Sequence, residues 1–370
     1  MKIGIDAKWY FDGPPSGKRV VRSLTDALLD VDDKNEYYIF LDRKHKQKNF
    51  PQTEKKNVKL CYVWAGNNLV SNVFVLPYFS FRHKLDVLLY QNFVSPFDQA
   101  KRVAYVHDIL FLSNPEYYTI YERLYFAPLK FLTRRSHLII TVSDEEKRRL
   151  LKFKYSDRDE KIIVAYHGVD SSFQPKENYA KERIHETRIR FRLPDSFLLY
   201  VGRLNLRKNV DNLLRAIPHL KNKDIPLVIV GADDWKKSNH LEIIKGLGIQ
   251  NRIHFTGAVY QELGMIYSMA KIFCFPSFAE SFGLPPLEAM ASGVPIVVSN
   301  TTSLPEICGD AGNYITPDDP KEIARVIDNL LLNEELLVAC KARGIERAKK
   351  FTWGNAAQLI IESMTGIVKN

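Results

Sequence analysis

The hydrophobic positions of this chain fall into short apolar runs separated by amphipathic stretches. In the first half the runs are MKIGID, EYYIFL, VKLCYV, DVLLY, KRVAYVHD, SHLIITVS and KIIVAYHG, and helical spacing from Lys18 to Asp30 predicts a helix after the first. Runs such as LIITVS are continuous rather than alternating, as expected of parallel strands buried on both faces. The second half repeats the scheme with FLLYVG, PLVIVG, RIHFTG, KIFCFPS and PIVVS, interleaved with helical patterns over 209–219, 241–247 and 262–269. Such βα alternation predicts a βα domain of parallel strands in the first half and a doubly wound parallel sheet in the second. The polar stretch SSFQPKENYAKERIHETRIRFRLPD lies between them and predicts a linker, with domains over 1–175 and 190–350. A terminal helix is predicted from Trp353 to Val368, where Ala357, Ile360, Ile361, Met364 and Ile367 share a face.

Composition narrows the class. At 370 residues the chain exceeds what one core usually supports, and 45% hydrophobic with 26% charged residues excludes disorder. No run approaches eighteen apolar residues, so no membrane span is expected. Asp6 arrives too early for the apolar core of a secretory signal, and Cys61, Cys274, Cys308 and Cys340 form no CxxC pair. A cytoplasmic protein is expected. Residues 1–190 hold 33 basic and 24 acidic side chains, a net of +9, against 20 and 19 in residues 191–370. That asymmetry fits an anionic surface, an anionic acceptor or nucleic acid, and equally a dispersed solubilising charge.

Candidate chemistry concentrates where strands end. In FCFPSFAESFGLPPLEAMASGVPIVVS a strand ends near Pro276, a loop carries Glu280, and Pro285-Pro286 start a helix that bears Glu288. The backbone N–H groups of Ser281, Phe282, Gly283 and Leu284 can meet an anion at that helix start, while the two carboxylates suit sugar and ribose hydroxyls. After the strand FLLYV, Gly202 turns the chain and Arg203 and Lys208 follow, a pair suited to a diphosphate or, taken alone, a solvated loop. His107 closes the strand VAYV; a lone histidine there is more often structural. Gly17, in the loop GPPSGKR, could let backbone amides approach a phosphate.

Glu280, seven intervening residues and Glu288, in that frame, resemble the signature of retaining family-4 glycosyltransferases. The resemblance implies an α/β protein of the GT-B fold: two Rossmann-like domains whose parallel sheets face each other across a cleft. The acceptor side would be the first domain, joined by residues 351–370, and the nucleotide-sugar donor would bind in the second. By resemblance Glu280 contacts the donor sugar, Glu288 the ribose, Arg203 and Lys208 the diphosphate, and His107 of the His107-Asp108 pair faces the sugar. Arg207 stands beside Lys208 as a further candidate. The Ser-Gly-Lys-Arg-Val loop departs from the Gly-x-Gly-Arg-Tyr or Gly-Gly of many relatives, and His167-Gly168-Val169-Asp170 departs from their Asn-Gly-Val-Asp.

The implied reaction moves a hexose from a nucleoside diphosphate sugar to a saccharide or lipid-linked saccharide with retention of configuration, without metal or cofactor. Resemblance to bacterial polysaccharide mannosyltransferases makes GDP-mannose the leading donor, with a UDP-hexose next. The aromatic and basic stretches 79–84 and 117–135 suit peripheral contact with an anionic membrane on its cytoplasmic face. A GT-B sugar-nucleotide epimerase is the alternative enzyme. A nicotinamide dehydrogenase lacks its GxGxxG here, and a nucleic-acid-binding protein lacks any module that interleaves basic and stacking residues, so no nucleic-acid partner is expected.

Overall fold

In the computed structural model, which describes residues 1–231 and 239–369, the chain divides into two units. Met1–Gly168 with Thr352–Asn370 form the first, and Val169–Phe351 the second. The first is built on β1 (Lys2–Asp6), β2 (Glu36–Asp42), β3 (Val58–Val63), β4 (Val87–Gln91), β5 (Lys101–Tyr105), β6 (Leu138–Thr141) and β7 (Ile162–Val164). All pair in parallel, in the order β3-β2-β1-β4-β5-β6-β7. The apolar runs of β1, β2, β4 and β6 are buried on both faces, the edge strands β3 and β7 only in part, and Phe40, Leu88, Tyr90, Ala104 and Ile139 meet in one core.

The first helix spans Pro15–Val31, three residues longer at its start than the periodicity predicts, because the fixed φ of Pro15 suits the first helical position. It buries Val20, Val21, Leu24, Leu28 and Leu29, and the terminal helix Trp353–Lys369 packs against it. The chain leaves this unit beside the point where it returns. A Cβ on Gly168 would stand 2.1 Å from the Trp353 backbone nitrogen, so only glycine fits where the two segments touch.

The second unit carries β8 (Leu198–Val201), β9 (Leu227–Val230), β10 (Ile253–Gly257), β11 (Ile272–Phe275), β12 (Ile296–Ser299) and β13 (Gly312–Ile315), again all parallel, in the order β10-β9-β8-β11-β12-β13. The polar stretch read as a linker contains the helix Lys181–Arg190 of this unit. Ile184 and Thr187 of that helix are buried, and the Thr187 hydroxyl lies 3.5 Å from the Met265 sulfur. The unit therefore begins at Val169 rather than near residue 190. β13 leaves no apolar run in the sequence, because GNYI is an edge strand with one buried position.

Asp32 is buried and accepts hydrogen bonds from Asn35 at 2.5 Å and the Tyr37 hydroxyl at 2.6 Å, holding the turn into β2. Asp157 and Asp159 are held in ion pairs with Arg134 at 2.7 Å and Lys147 at 2.9 Å. Both sheets are doubly wound. Their strand order reverses between β1 and β4 in the first and between β8 and β11 in the second, and ligands of such sheets bind beyond the carboxyl ends of the strands at that reversal.

Candidate functional site

In the second unit the loops that leave β8 and β11 meet at the reversal point. Gly202 turns the chain after β8 at φ 156°. The backbone there is so close to the end of β9 that a Cβ on Gly231 would lie 1.9 Å from the Gly202 carbonyl oxygen. Asn205 then caps a short turn, its side chain accepting from the Lys208 N–H at 3.2 Å. The buried Asn209, at φ 55°, donates from Nδ2 to the carbonyls of Pro276 at 2.9 Å and Pro317 at 2.7 Å. That one amide ties the loops after β8, β11 and β13 together, and the Phe278 N–H closes the junction on the Arg207 carbonyl at 2.9 Å.

This clamp delivers two cations to one carboxylate. Lys208 Nζ stands 2.6 Å from Glu280 Oε1, Arg207 3.2 Å from Oε2, and the Ser277 hydroxyl donates to Oε1 at 2.5 Å. Burial pushes the Glu280 carboxyl upward, but the Lys208 and Arg207 charges and the hydrogen bonds from Lys208 and Ser277 outweigh it and hold it at about 2. Burial lowers Lys208 to about 8 against the pull of Glu280, with the neighbouring Arg207 and Arg203 charges adding to the lowering. At neutral pH the cluster is therefore one anion between two cations. Arg207 and Ser277 hold Glu280 independently of Lys208.

Around Glu280 the backbone is equally fixed. Its N–H donates to the Thr302 hydroxyl at 2.9 Å, and the Ser303 hydroxyl donates to the carbonyls of Glu280 at 3.1 Å and Phe282 at 2.9 Å. Gly283, at φ 111°, has its Cβ space taken by Leu304 and leads into the helix Leu284–Ala291. Ser281, Phe282, Gly283 and Leu284 thus sit at that helix start, and Glu288 is buried in its second turn. Arg203 is exposed just past Gly202 and is not among the contacts of Glu280. Arg207, ranked behind Arg203 in the sequence, is the arginine that reaches the carboxylate; its position beside Lys208 was the available signal.

In the first unit His107 follows β5. Its Nε2 is 2.8 Å from Oε1 of Gln91, the last residue of β4, and its backbone N–H donates to Asn92 at 3.3 Å. The ring lies edge-on to Tyr105, with centroids 4.8 Å apart. Burial lowers His107 to about 4, against a weak opposing pull from Asp6, so the imidazole is neutral at pH 7. It therefore acts as a hydrogen-bonding group rather than as a charge. The Asp108 side of this turn is anchored from below, where the buried Glu146 carboxylate accepts the Ile109 N–H at 2.6 Å. Gly17 lies in the first turn of the helix Pro15–Val31, ahead of the first intrahelical bond, which runs from the Lys18 N–H to the Pro14 carbonyl at 2.8 Å. Its Cβ space is occupied by the Trp9 ring at 3.1 Å. Among the described residues no three His, Cys, Asp or Glu side chains come together as a metal site, and no helix is long and apolar enough to cross a membrane.

Two family models match the chain, "Glycosyltransferase Family 4" over residues 18–173 and "Glycosyl transferases group 1" over 182–347. An O-antigen chain mannosyltransferase B of Escherichia coli is 32% identical over 280 residues, covering 74% of this chain and 72% of its own. A serotype-specific mannosyltransferase WbdA of the same species is 30% identical over 281 residues, 73% of this chain but 34% of its own, so the chain spans about a third of that relative. Among solved structures, sucrose-phosphate synthase of Thermosynechococcus elongatus superposes with a TM-score of 0.77 at 18% identity over 99% of both chains. Anabaena HepE in complex with UDP and glucose does so with 0.74 at 19%, over 99% of this chain and 100% of its own. The shared architecture is the GT-B fold.

Proposed function

We propose, from the premise that this chain belongs to the family-4 glycosyltransferases, that it moves a hexose from a nucleoside diphosphate sugar to a saccharide or lipid-linked saccharide with retention of anomeric configuration. The observation that carries this reading is the Glu280 carboxylate held between Lys208 and Arg207 at the reversal point of the second sheet. Glu280 takes hydroxyls of the donor sugar, Glu288 the ribose, and the N–H groups from Ser281 to Leu284 the diphosphate. Gly17 offers a further amide to the donor phosphate.

The hard step is loss of the diphosphate. As the bond from the anomeric carbon to the diphosphate oxygen breaks, positive charge grows on the sugar ring and negative charge on the leaving group. Lys208 and Arg203 stabilise the latter, a role for preorganised cations that needs no rearrangement at the moment of reaction. The acceptor hydroxyl bonds to the anomeric carbon on the face that the leaving group has vacated, and its proton passes to a diphosphate oxygen. Retention then follows without a second carboxylate or a metal. Neutral His107 orients a sugar hydroxyl.

The mannosyltransferase relatives favour GDP-mannose, whereas the UDP and glucose held by Anabaena HepE keep a UDP-hexose in view. Thermal shift with GDP, UDP and ADP decides. The true nucleotide, at a hundredfold its Kd, stabilises by about 2.7 kcal/mol. If none of the three raises Tm, the donor assignment fails.

Peripheral contact with an anionic bilayer is part of the same proposal. Val70, Phe74, Tyr78 and Phe81 recur every three or four residues along one helical segment, and Phe74, Tyr78 and Phe81 are 63%, 58% and 65% exposed. Arg82 and Lys84 follow, both exposed. By contrast Phe79, Tyr118, Tyr125 and Phe126, within the two aromatic and basic stretches, pack on the core, and Arg134 is engaged by Asp157.

A further inference from the structure

Trp9 stands three residues beyond β1, at the reversal point of the first sheet, where open α/β sheets bind ligands. It is half-buried, and among the described residues its indole N–H has no hydrogen-bond partner. A half-exposed indole whose N–H is not engaged by the protein can meet an amphipathic ligand.

The surroundings hold this ring in place. A Cβ on Gly13 would come within 2.9 Å of Trp9 Cγ, and one on Gly17 within 3.1 Å of Cε3, so the loop from Gly13 to Gly17 packs tightly on the indole, with Gly13 leaving no room for a side chain. On one side of Trp9 the buried Lys8 ammonium is held by Asp6 at 2.6 Å and Asn72 at 2.5 Å. On the other, Tyr10 is buried and its hydroxyl donates to Asp26 at 2.6 Å. The backbone that carries the ring is thus fixed from both directions. The His107 ring lies 6.4 Å away, tilted by 36°.

We infer that Trp9 is the stacking platform of a saccharide subsite, the place where the terminal ring of the acceptor lies. A pyranose has a face of C–H groups and a rim of hydroxyls. The C–H face meets the negative π-face of the indole, and a rim hydroxyl accepts from Trp9 Nε1–H, which matches an aromatic surface with few, placed polar groups. A ring seated there lies near the His107 ring of the same unit. The acceptor assignment rests on the transfer reaction proposed above; the saccharide subsite itself rests on the geometry of the first unit alone. The same packing gives the Gly-Pro-Pro-Ser-Gly loop a role in shaping the subsite in addition to any phosphate contact.

The test uses the full chain with α-linked mannotriose as probe, GDP-mannose as donor, and the variants Trp9→Phe and Trp9→Leu. Leucine keeps apolar bulk under the glycine loop without a π-face. Saturation-transfer NMR, which needs no turnover, is expected to mark the ring C–H protons of mannotriose with the wild-type protein and with W9F, and to lose at least three-quarters of the signal with W9L. In kinetics, W9L is expected to raise the mannotriose KM at least tenfold while the calorimetric Kd of bare GDP stays within twofold. Absence of saturation transfer from the wild-type chain overturns the subsite, as does W9L matching the wild type in signal and KM. A loss of GDP affinity in W9L moves Trp9 to the donor and also overturns it. Saccharide binding with no hexose transfer leaves the subsite standing and sinks the proposed reaction instead.

Discussion

Replacing Lys208 with alanine separates structural from chemical roles in the cation cluster. In the resting protein Glu280 would keep Arg207 at 3.2 Å and Ser277 at 2.5 Å, so the carboxylate is not stripped of partners. The cost to folding should therefore fall below the about 3 to 5 kcal/mol typical when a buried charge loses its counterion. The cost to turnover should be larger in effect: deleting one preorganised group that meets charge growing in the transition state removes about 2.7 to 4 kcal/mol, a hundredfold to nearly a thousandfold in kcat. The pH profile sharpens the test. Lys208 is charged below about 8 and neutral above it, so kcat/KM should fall as pH rises through that value. Bound diphosphate favours the ammonium, so the limb of kcat should lie at higher pH than that of kcat/KM. Lys208→Arg, whose guanidinium stays charged, should move the alkaline limb of kcat/KM upward even if its kcat is reduced. Steady-state kinetics from pH 6 to 10, with circular dichroism as a control of folding, provide the measurement. A folded K208A within threefold of wild-type kcat, or an alkaline limb unmoved in K208R, would refute the assignment.

Three further outcomes are expected. Glu280→Ala should abolish most transfer while leaving the calorimetric Kd of the bare nucleoside diphosphate within a few-fold, whereas Glu288→Ala should weaken that Kd itself; equal losses would remove the division of roles. Transfer should persist after exhaustive chelation if Lys208 and Arg203 supply the charge stabilisation as proposed; complete loss restored by a divalent ion would contradict this. Replacing Phe74, Tyr78 and Phe81 together by Ser should abolish sedimentation with anionic vesicles at low salt without lowering transfer to a soluble acceptor. Wild-type protein that fails to sediment would end the membrane proposal.

The parallel sheets were legible because a strand buried on both faces leaves a continuous apolar run, as in LIIT of β6 and LVIV of β9. The edge strand GNYI carries no such signal, and the helix Lys181–Arg190 buries only Ile184 and Thr187 within a polar sequence, which is why it read as a linker. At the site, Glu280 and Lys208 stood out individually. Their pairing did not, since 72 residues separate them and only the adjacency of β8 and β11 brings their loops together. The same limit hid Trp9. Its place against Gly13 and Gly17 depends on how a loop folds back over β1, which no local pattern encodes.

The anomeric configuration of the transferred sugar tests the central claim most directly. With the donor base chosen by thermal shift, the product formed on a saccharide acceptor should show, by NMR of its anomeric C–H, the same configuration as the donor. An inverted linkage, or release of free epimerised sugar in place of a transferred one, would contradict the account of leaving-group stabilisation by Lys208 and Arg203 followed by same-face attack.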